Sequence, residues 1–234
     1  MEEAISPEAT STEAARARRT VAVFDFDGTL VKRDSLVPFL RQLAGTAGFA
    51  WRFATASPAV AAFGLRLLPN WRAKEIVLER FIAGMTAAEL NEAGERFART
   101  WIPRMVRPDA LDCFRWHRQV GHETILLSAS IENYLLPLVQ TMGFDRVVGT
   151  RLEFRDGRAT GKLEGRNCYG AEKVNRLTEI LGDLKALEIH AYGDSPGDFA
   201  LLDAAAYGYF RRFPRISSDE GGRLVHHEMP PVSE

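Results

Sequence analysis

Two short acidic segments are the first candidates for chemistry. FDFDGTL, Phe24 to Leu30, sets Asp25 and Asp27 with one residue between them at the end of an apolar run, and GDSPGD, Gly193 to Asp198, sets Asp194 and Asp198 four positions apart after another. Carboxylates at such points suit a hard cation with oxygen ligands, such as Mg²⁺. Gly28 permits a sharp turn, and Thr29 offers a hydroxyl or a backbone donor to a phosphate. In LLSAS, Ser128 ends a further apolar run, where its hydroxyl and the amides of Ala129, Ser130 and a following helix start can hold an anion. Lys173 adds a cation near the start of a helical stretch. Each feature has a plainer reading alone: Asp and Gly make turns, Ser128 and Asp198 cap helices, and a helical lysine is usually solvated. Their combination in chain order, each at a strand end or a helix start, argues for one site.

The elements that must position these residues are legible as apolar runs. Thr20 to Phe26 reads as a buried parallel strand, Glu123 to Ser128 as a second and Leu187 to Tyr192 as a third. Helical spacing follows the second strand from Ile131 to Met142, precedes the third from Ala171 to Leu181 and resumes at Phe199. Arg146 to Gly149 and Tyr207 to Phe210 are shorter candidate strands. This alternation predicts an α/β fold, a Rossmann-like doubly wound parallel sheet. Ligands on such a sheet sit beyond the carboxyl ends of the strands, where Asp25, Asp27 and Asp194 fall.

Between the first two strands the pattern changes. Leu36 to Leu43, Lys74 to Ile82 and Ala87 to Trp101 carry apolar residues at helical spacing, which predicts an all-helical insertion over residues 35–107. Phe49 to Leu68 is notably apolar, but Arg52, Pro58 and Arg66 interrupt it, and it falls short of the ~20 residues that span a bilayer. A helical hairpin packing its own core is the expectation there, with contact to a membrane surface as the alternative. Asp156-Gly157 between two short runs predicts a β-hairpin. The remaining core is then 20–34 and 108–234, and residues 1–19 read as a polar tail without a secretory signal or anchor.

Composition narrows the class of function. The 234 residues are 46% hydrophobic and 26% charged with a formal charge of -1, ordinary values for a globular domain and a poor match for nucleic-acid binding. Two cysteines, Cys113 and Cys168, make neither a disulfide framework nor a C-x-x-C site. A cytoplasmic protein with no integral membrane segment is expected. The histidines show no metal spacing and read as ordinary core or surface residues, and Arg33, Lys74 and Arg104 could contact a charged substrate but are more often solvated.

With DFDGT, the serine after an apolar strand, the lysine and GDxxxD in that order from Val21 to Asp198, the sequence resembles the haloacid dehalogenase-like superfamily. The helical insertion between its first two motifs is similar to that of the phosphoserine phosphatase-like branch. That resemblance implies a magnesium-dependent phosphatase acting on a small-molecule phosphate ester. It makes Asp25 the nucleophile and Asp27 the general acid and base, with the Asp27 pKa above that of Asp25. Lys173 would neutralise phosphate charge, and Mg²⁺ would sit on Asp25, the backbone carbonyl of Asp27 and Asp194. Asp198 would position Lys173 or a metal-bound water, and Gly28, Thr29, Ser128, Ala129 and Ser130 would surround the phosphate. Asp34 stands where phosphoserine phosphatases carry a substrate-contacting glutamate, and Ser-Ala-Ser replaces their Ser-Gly-Gly. A phosphotransferase with the same motifs, or a silent phosphometabolite-binding module, is the alternative.

Overall fold

The computed structural model describes residues 19–219 and 224–227. The inferred polar tail, residues 1–19, lies outside the described residues except for Arg19. β1 (Thr20–Phe24) occupies the centre of a five-stranded sheet. Ala22 and Phe24 enter one hydrophobic core and Val21 and Val23 a second on the opposite face. A strand covered by helices on both faces has no polar side, and this explains its uninterrupted apolar run.

Five helices follow before the next strand: α1 (Leu36–Gly64), α2 (Asn70–Ile82), α3 (Ala87–Thr100), α4 (Ile102–Met105) and α5 (Pro108–Gln119). Then come β2 (Glu123–Ile131), α6 (Glu132–Leu135), α7 (Leu138–Thr141), β3 (Arg146–Thr150) and the strands β4 (Leu152–Arg155) and β5 (Arg158–Leu163). The chain continues through α8 (Ala171–Leu181), β6 (Glu188–Gly193), α9 (Phe199–Ala204), β7 (Tyr207–Phe210), β8 (Arg215–Ser218) and β9 (Leu224–His227). The sheet runs β3-β2-β1-β6-β7 with every pair parallel. The expected doubly wound sheet with a helical insertion between its first two strands is therefore present. Its connections diverge at β1, so the crevice beyond the carboxyl ends of β1, β2 and β6 is where a ligand belongs.

Several local expectations are corrected. The first strand ends at Phe24, because the chain turns at once: Leu30 N–H donates to Asp25 O at 3.3 Å and Val31 N–H to Phe26 O at 3.0 Å. β2 runs past Ser128 to Ile131, with its register against β3 shifting between Leu127 and Ile131. Ser128 thus stands inside a strand and caps no helix. The single helix expected over Ile131 to Met142 is split at Leu136 and Pro137 into α6 and α7.

The largest correction concerns the apolar stretch Phe49 to Leu68. α1 is one long element with a break in helical geometry at Gly45 (φ 66°, ψ 171°), and it carries Pro58 within it. α1 does pack on α2 as a hairpin, yet within Phe49 to Leu68 only Ala56 is buried, while Trp51, Leu65 and Leu67 are each more than two-thirds exposed. The hairpin does not close a core of its own. It packs instead on β5, where a Cβ on Gly161 would lie 2.3 Å from the Glu79 Cα. The turn of that β4–β5 hairpin has positive φ at both Asp156 (49°) and Gly157 (73°), the geometry a two-residue type I′ turn requires. Among the described residues no helix is long and apolar enough to cross a membrane.

Candidate active site

The turn after β1 carries the first two candidate acids into the crevice. Asp25 N–H donates to Tyr192 O of β6 at 2.9 Å, so the backbone is still tied to the sheet where the side chain emerges. Gly28 adopts φ +79°, and a Cβ there would stand 2.2 Å from Asp194 Oδ2. Only glycine meets both demands, the left-handed backbone and the close approach. Thr29 Oγ1 lies 3.5 Å from Asp194 Oδ1, and Arg107 Nη1 donates to Gly28 O at 3.1 Å.

Lys173, in the first turn of α8, is almost wholly buried and stands 2.5 Å from both Asp25 Oδ1 and Asp198 Oδ1. The second oxygen of Asp198 accepts Asp194 N–H (3.2 Å), Ser195 N–H (3.0 Å) and Ser195 Oγ (2.9 Å). Asp198 is therefore a strut that holds the lysine and the GDSPGD turn together. Burial alone would lower the lysine pKa, but Asp25 and Asp198 outweigh it and hold Lys173 above its ordinary value. Burial is also the main reason that the Asp25 carboxyl is pushed up from 3.8 to about 6, against the opposing pull of Lys173.

Asp27 faces a different environment. Ser130 Oγ donates to Asp27 Oδ2 at 2.6 Å, while Asp27 Oδ1 is buried without a hydrogen-bond partner. Burial, then the charge of Asp34, raises the Asp27 carboxyl to about 7, above Asp25. Ser130 in turn belongs to a hydroxyl network with Ser35 (3.2 Å), which reaches Tyr134 (2.9 Å). Ser128 is buried, and its Oγ accepts Ser130 N–H at 3.1 Å. Asp25, Asp27, Gly28, Asp34, Ser128, Ala129, Ser130, Lys173, Asp194 and Asp198 all line one cavity of about 670 Å³. Thr29 is buried behind it.

A family model described as haloacid dehalogenase-like hydrolase matches residues 22–203. The chain belongs to that family. Among curated proteins it is similar to protein CicA of Caulobacter vibrioides (strain NA1000 / CB15N), with 35% identity over 200 residues, 83% of this chain and 88% of CicA. It is also similar to phosphoserine phosphatase SerB1 of Mycobacterium tuberculosis (strain ATCC 25618 / H37Rv), 28% identical over 188 residues, 77% of this chain and 61% of SerB1. Among solved structures it resembles a protein of unknown function from Bordetella pertussis Tohama I, with a TM-score of 0.71 and 30% identity, covering 80% of this chain and 86% of the other. The relation to phosphoserine phosphatases is one of family, which by itself transfers no substrate.

In this haloacid dehalogenase-like hydrolase the acids fit a divalent cation. Carboxylate oxygens of Asp25, Asp194 and Asp198 lie within 4.8 Å of one another, all of them hard donors. Burial, then the neighbouring Asp198, raises the Asp194 carboxyl, a strain that a bound cation relieves. Both oxygens of Asp198 already serve Lys173 and the turn, so Asp25 and Asp194 are the carboxylates best placed to ligate. The Asp27 carboxyl is turned instead toward Ser130.

Lys74 follows the less frequent of its two expected roles, on the cavity wall and out of bulk solvent. From α2 its ammonium donates to Ala129 O and, at 3.1 Å, to Asn167 Oδ1, on the cavity wall. Burial lowers it to about 8, against the charges of Asp27 and Asp34. Its position three residues before Val77 on an amphipathic helix gave no sign of this, since its partners come from β2 and the loop before α8. Arg107, which pins Gly28, was also missed; its place at the return from the helical insertion was the one available signal. His117 and His190 are buried and His122 is half-buried beside them: His117 Nδ1 lies 2.8 Å from His122 Nδ1 and its Nε2 2.8 Å from the Tyr192 hydroxyl.

Proposed function

We propose that this hydrolase is a cytoplasmic Mg²⁺-dependent phosphomonoesterase that works through an aspartyl phosphate on Asp25, with a core of residues 20–34 and 108–234 and a cap of residues 35–107. The observation that carries the reading is the division of labour on one turn. Asp25 is salt-bridged to Lys173 at 2.5 Å, whereas Asp27 keeps one buried oxygen unpartnered and a pKa near neutrality. Two free, buried thiols, Cys113 and Cys168, accord with a reducing compartment.

Bound Mg²⁺ supplies neutralisation of the phosphoryl charge and favours the ionised form of Asp25. Lys173 adds a second positive charge beside the nucleophile, and Asp198 keeps it there. An oxygen of Asp25 attacks phosphorus, the ester P–O bond breaks, and the departing alkoxide takes the proton of Asp27. In the second half Asp27 removes a proton from water as that water attacks phosphorus, which frees Asp25 and releases inorganic phosphate. Ser128 and the backbone donors of the Asp27–Thr29 and Ser128–Ser130 segments surround the phosphoryl oxygens, where transition-state charge accumulates. Asp34 and Lys74 flank the leaving group.

The test is phosphate release from a small aryl phosphate with Mg²⁺, with EDTA, and with EDTA followed by excess Mg²⁺. Activity should vanish and return, and acid-quenched enzyme should carry one phosphoryl group on Asp25. Undiminished turnover in metal-free buffer, or phosphoryl transfer to a different residue, refutes the reading.

A further inference from the structure

Resting on that phosphatase reading, we propose that the alcohol portion of the substrate is a long apolar chain, and that the enzyme takes this lipid phosphate monoester from an anionic bilayer seated on the α1–α2 turn. The cavity is polar around the catalytic acids, with Lys32, Arg33, Asn70 and Lys74 also on its wall, but a large part of its lining is hydrocarbon. Its far wall is made by Leu40, Phe53, Val60 and Phe63 of α1 and Ala73 and Val77 of α2. At about 30 Å³ per water-sized group, 670 Å³ holds roughly twenty such groups, and a phosphoryl group uses about five of them. The remaining space borders hydrocarbon. A small amino acid or sugar would leave that apolar wall in contact with water, whereas an acyl or alkyl chain covers it.

The α1–α2 turn, which borders this cavity, has the chemistry of an interfacial anchor. Phe63 and Asn70, both on the cavity wall, bracket the α1–α2 turn. Within and beside that turn Leu65 (71%), Leu67 (74%) and Trp71 (49%) are exposed, as is Trp51 (74%) on α1. An exposed apolar group of this kind marks an interaction surface. From Ser35 to Lys74 there is no Asp or Glu, and there are five cations, Arg41, Arg52, Arg66, Arg72 and Lys74. Arg72 pairs with Glu75, Lys74 serves the cavity and Arg52 donates to Phe81 O, which leaves Arg41 and Arg66 as the block's cations for an anionic surface, with no acid among the forty residues to oppose them. Large apolar side chains interleaved with arginine, on an element unable to cross a membrane, are the composition of a segment that lies in the headgroup layer of an anionic bilayer. The apolar wall then opens toward the acyl region, and the lipid phosphate reaches Asp25 while its chain stays in contact with hydrocarbon.

The experiment has a catalytic and a binding arm. Turnover of n-alkyl phosphates from ethyl to dodecyl is measured below their micellar concentrations with Mg²⁺. kcat/KM should climb with chain length, approaching roughly fourfold per methylene that becomes fully buried, and Val60→Asp should flatten the climb. In parallel, calorimetric binding of dodecylphosphonate against ethylphosphonate reads the chain pocket without chemistry. If no ester is hydrolysed yet dodecylphosphonate binds far more tightly, the phosphatase reading fails and the chain pocket stands. If esters are hydrolysed with no dependence on length, or a small polar ester is preferred, the chain proposal fails and the phosphatase reading stands. For the bilayer, full-length enzyme should sediment with phosphatidylcholine vesicles containing phosphatidylglycerol and should hydrolyse a diacylglycerol phosphate embedded in them. The double substitution Leu65→Glu, Leu67→Glu should lower the ratio of vesicle-borne to soluble turnover by at least an order of magnitude. Sedimentation with neither neutral nor anionic vesicles, or a ratio unchanged by that substitution, overturns the bilayer source.

Discussion

Replacing Asp27 by Asn should make the metal-free protein more stable while abolishing its activity. Burial and the facing Asp34 raise the Asp27 carboxyl from 3.8 to about 7. An acid raised in the folded state binds more protons folded than unfolded between those values. Stability therefore falls as pH rises through that window, and the whole penalty is present above about 7. At 1.36 kcal/mol per pKa unit the displacement amounts to about 4 kcal/mol at about pH 8. Asn is neutral at every pH, so the Asp27→Asn variant should gain stability of that order there. The gain should shrink as pH is lowered and disappear below about pH 4, where aspartate is protonated in both states. Urea unfolding of both proteins in EDTA across this range measures it. A variant no more stable than wild type at the alkaline end, or a gain that persists unchanged in acid, would show that Asp27 is not held in its charged form at an energetic cost.

Asp25→Asn should lose turnover by ~10³ or more with the unfolding midpoint little lowered, since the deleted group is the proposed nucleophile; full activity would sink the assignment. Lys173→Met leaves Asp25 and Asp198 buried without their cation, and a loss of about 3–5 kcal/mol in urea unfolding near neutral pH is expected. Gly28→Ala combines a disfavoured backbone with a Cβ 2.2 Å from Asp194; Mg²⁺ titration should show weakened binding before overall stability fails. His117 is lowered to about 2, chiefly by burial and then by His190. A histidine depressed in the fold contributes stability that is present above its unfolded pKa of 6.5 and lost as pH falls below it, at up to about 1.4 kcal/mol per pH unit. His117→Gln should flatten that acid limb, and an unaltered limb would exclude His117 as its source.

The placement of the candidate acids was largely legible because they sit where local signals are strongest. Asp25 follows the apolar run Val21 to Phe24, Asp194 a run broken only by Glu188 and His190, and Gly28 announces the turn after β1. Lys173 was legible through its place in a motif, although nothing local distinguishes a lysine that ends 2.5 Å from two carboxylates from one in solvent. Lys74 shows the limit, since its contacts are to Ala129 and Asn167, 55 and 93 positions away. β2 continues past Ser128 because its last residues still find β3, a tertiary pairing that periodicity does not report. Pro58 suggested a break, but α1 continues through it, with the proline on an exposed position. The β8–β9 hairpin has no strong apolar run, and its pairing is made against α5.

The two chain segments that join cap to core form a single neck. Val31 bridges Val106 in antiparallel fashion, Lys32 N–H donates to Met105 O at 2.9 Å, and Arg107 N–H donates to Leu30 O at 2.9 Å. That neck begins only three residues after Asp27, at Leu30, and the Arg107 side chain grips the carbonyl of Gly28. Through these contacts any displacement of the helical insertion at its neck would be passed directly to the turn that holds Asp27 and Gly28, so the proposed acid-base group and the insertion would move as one body.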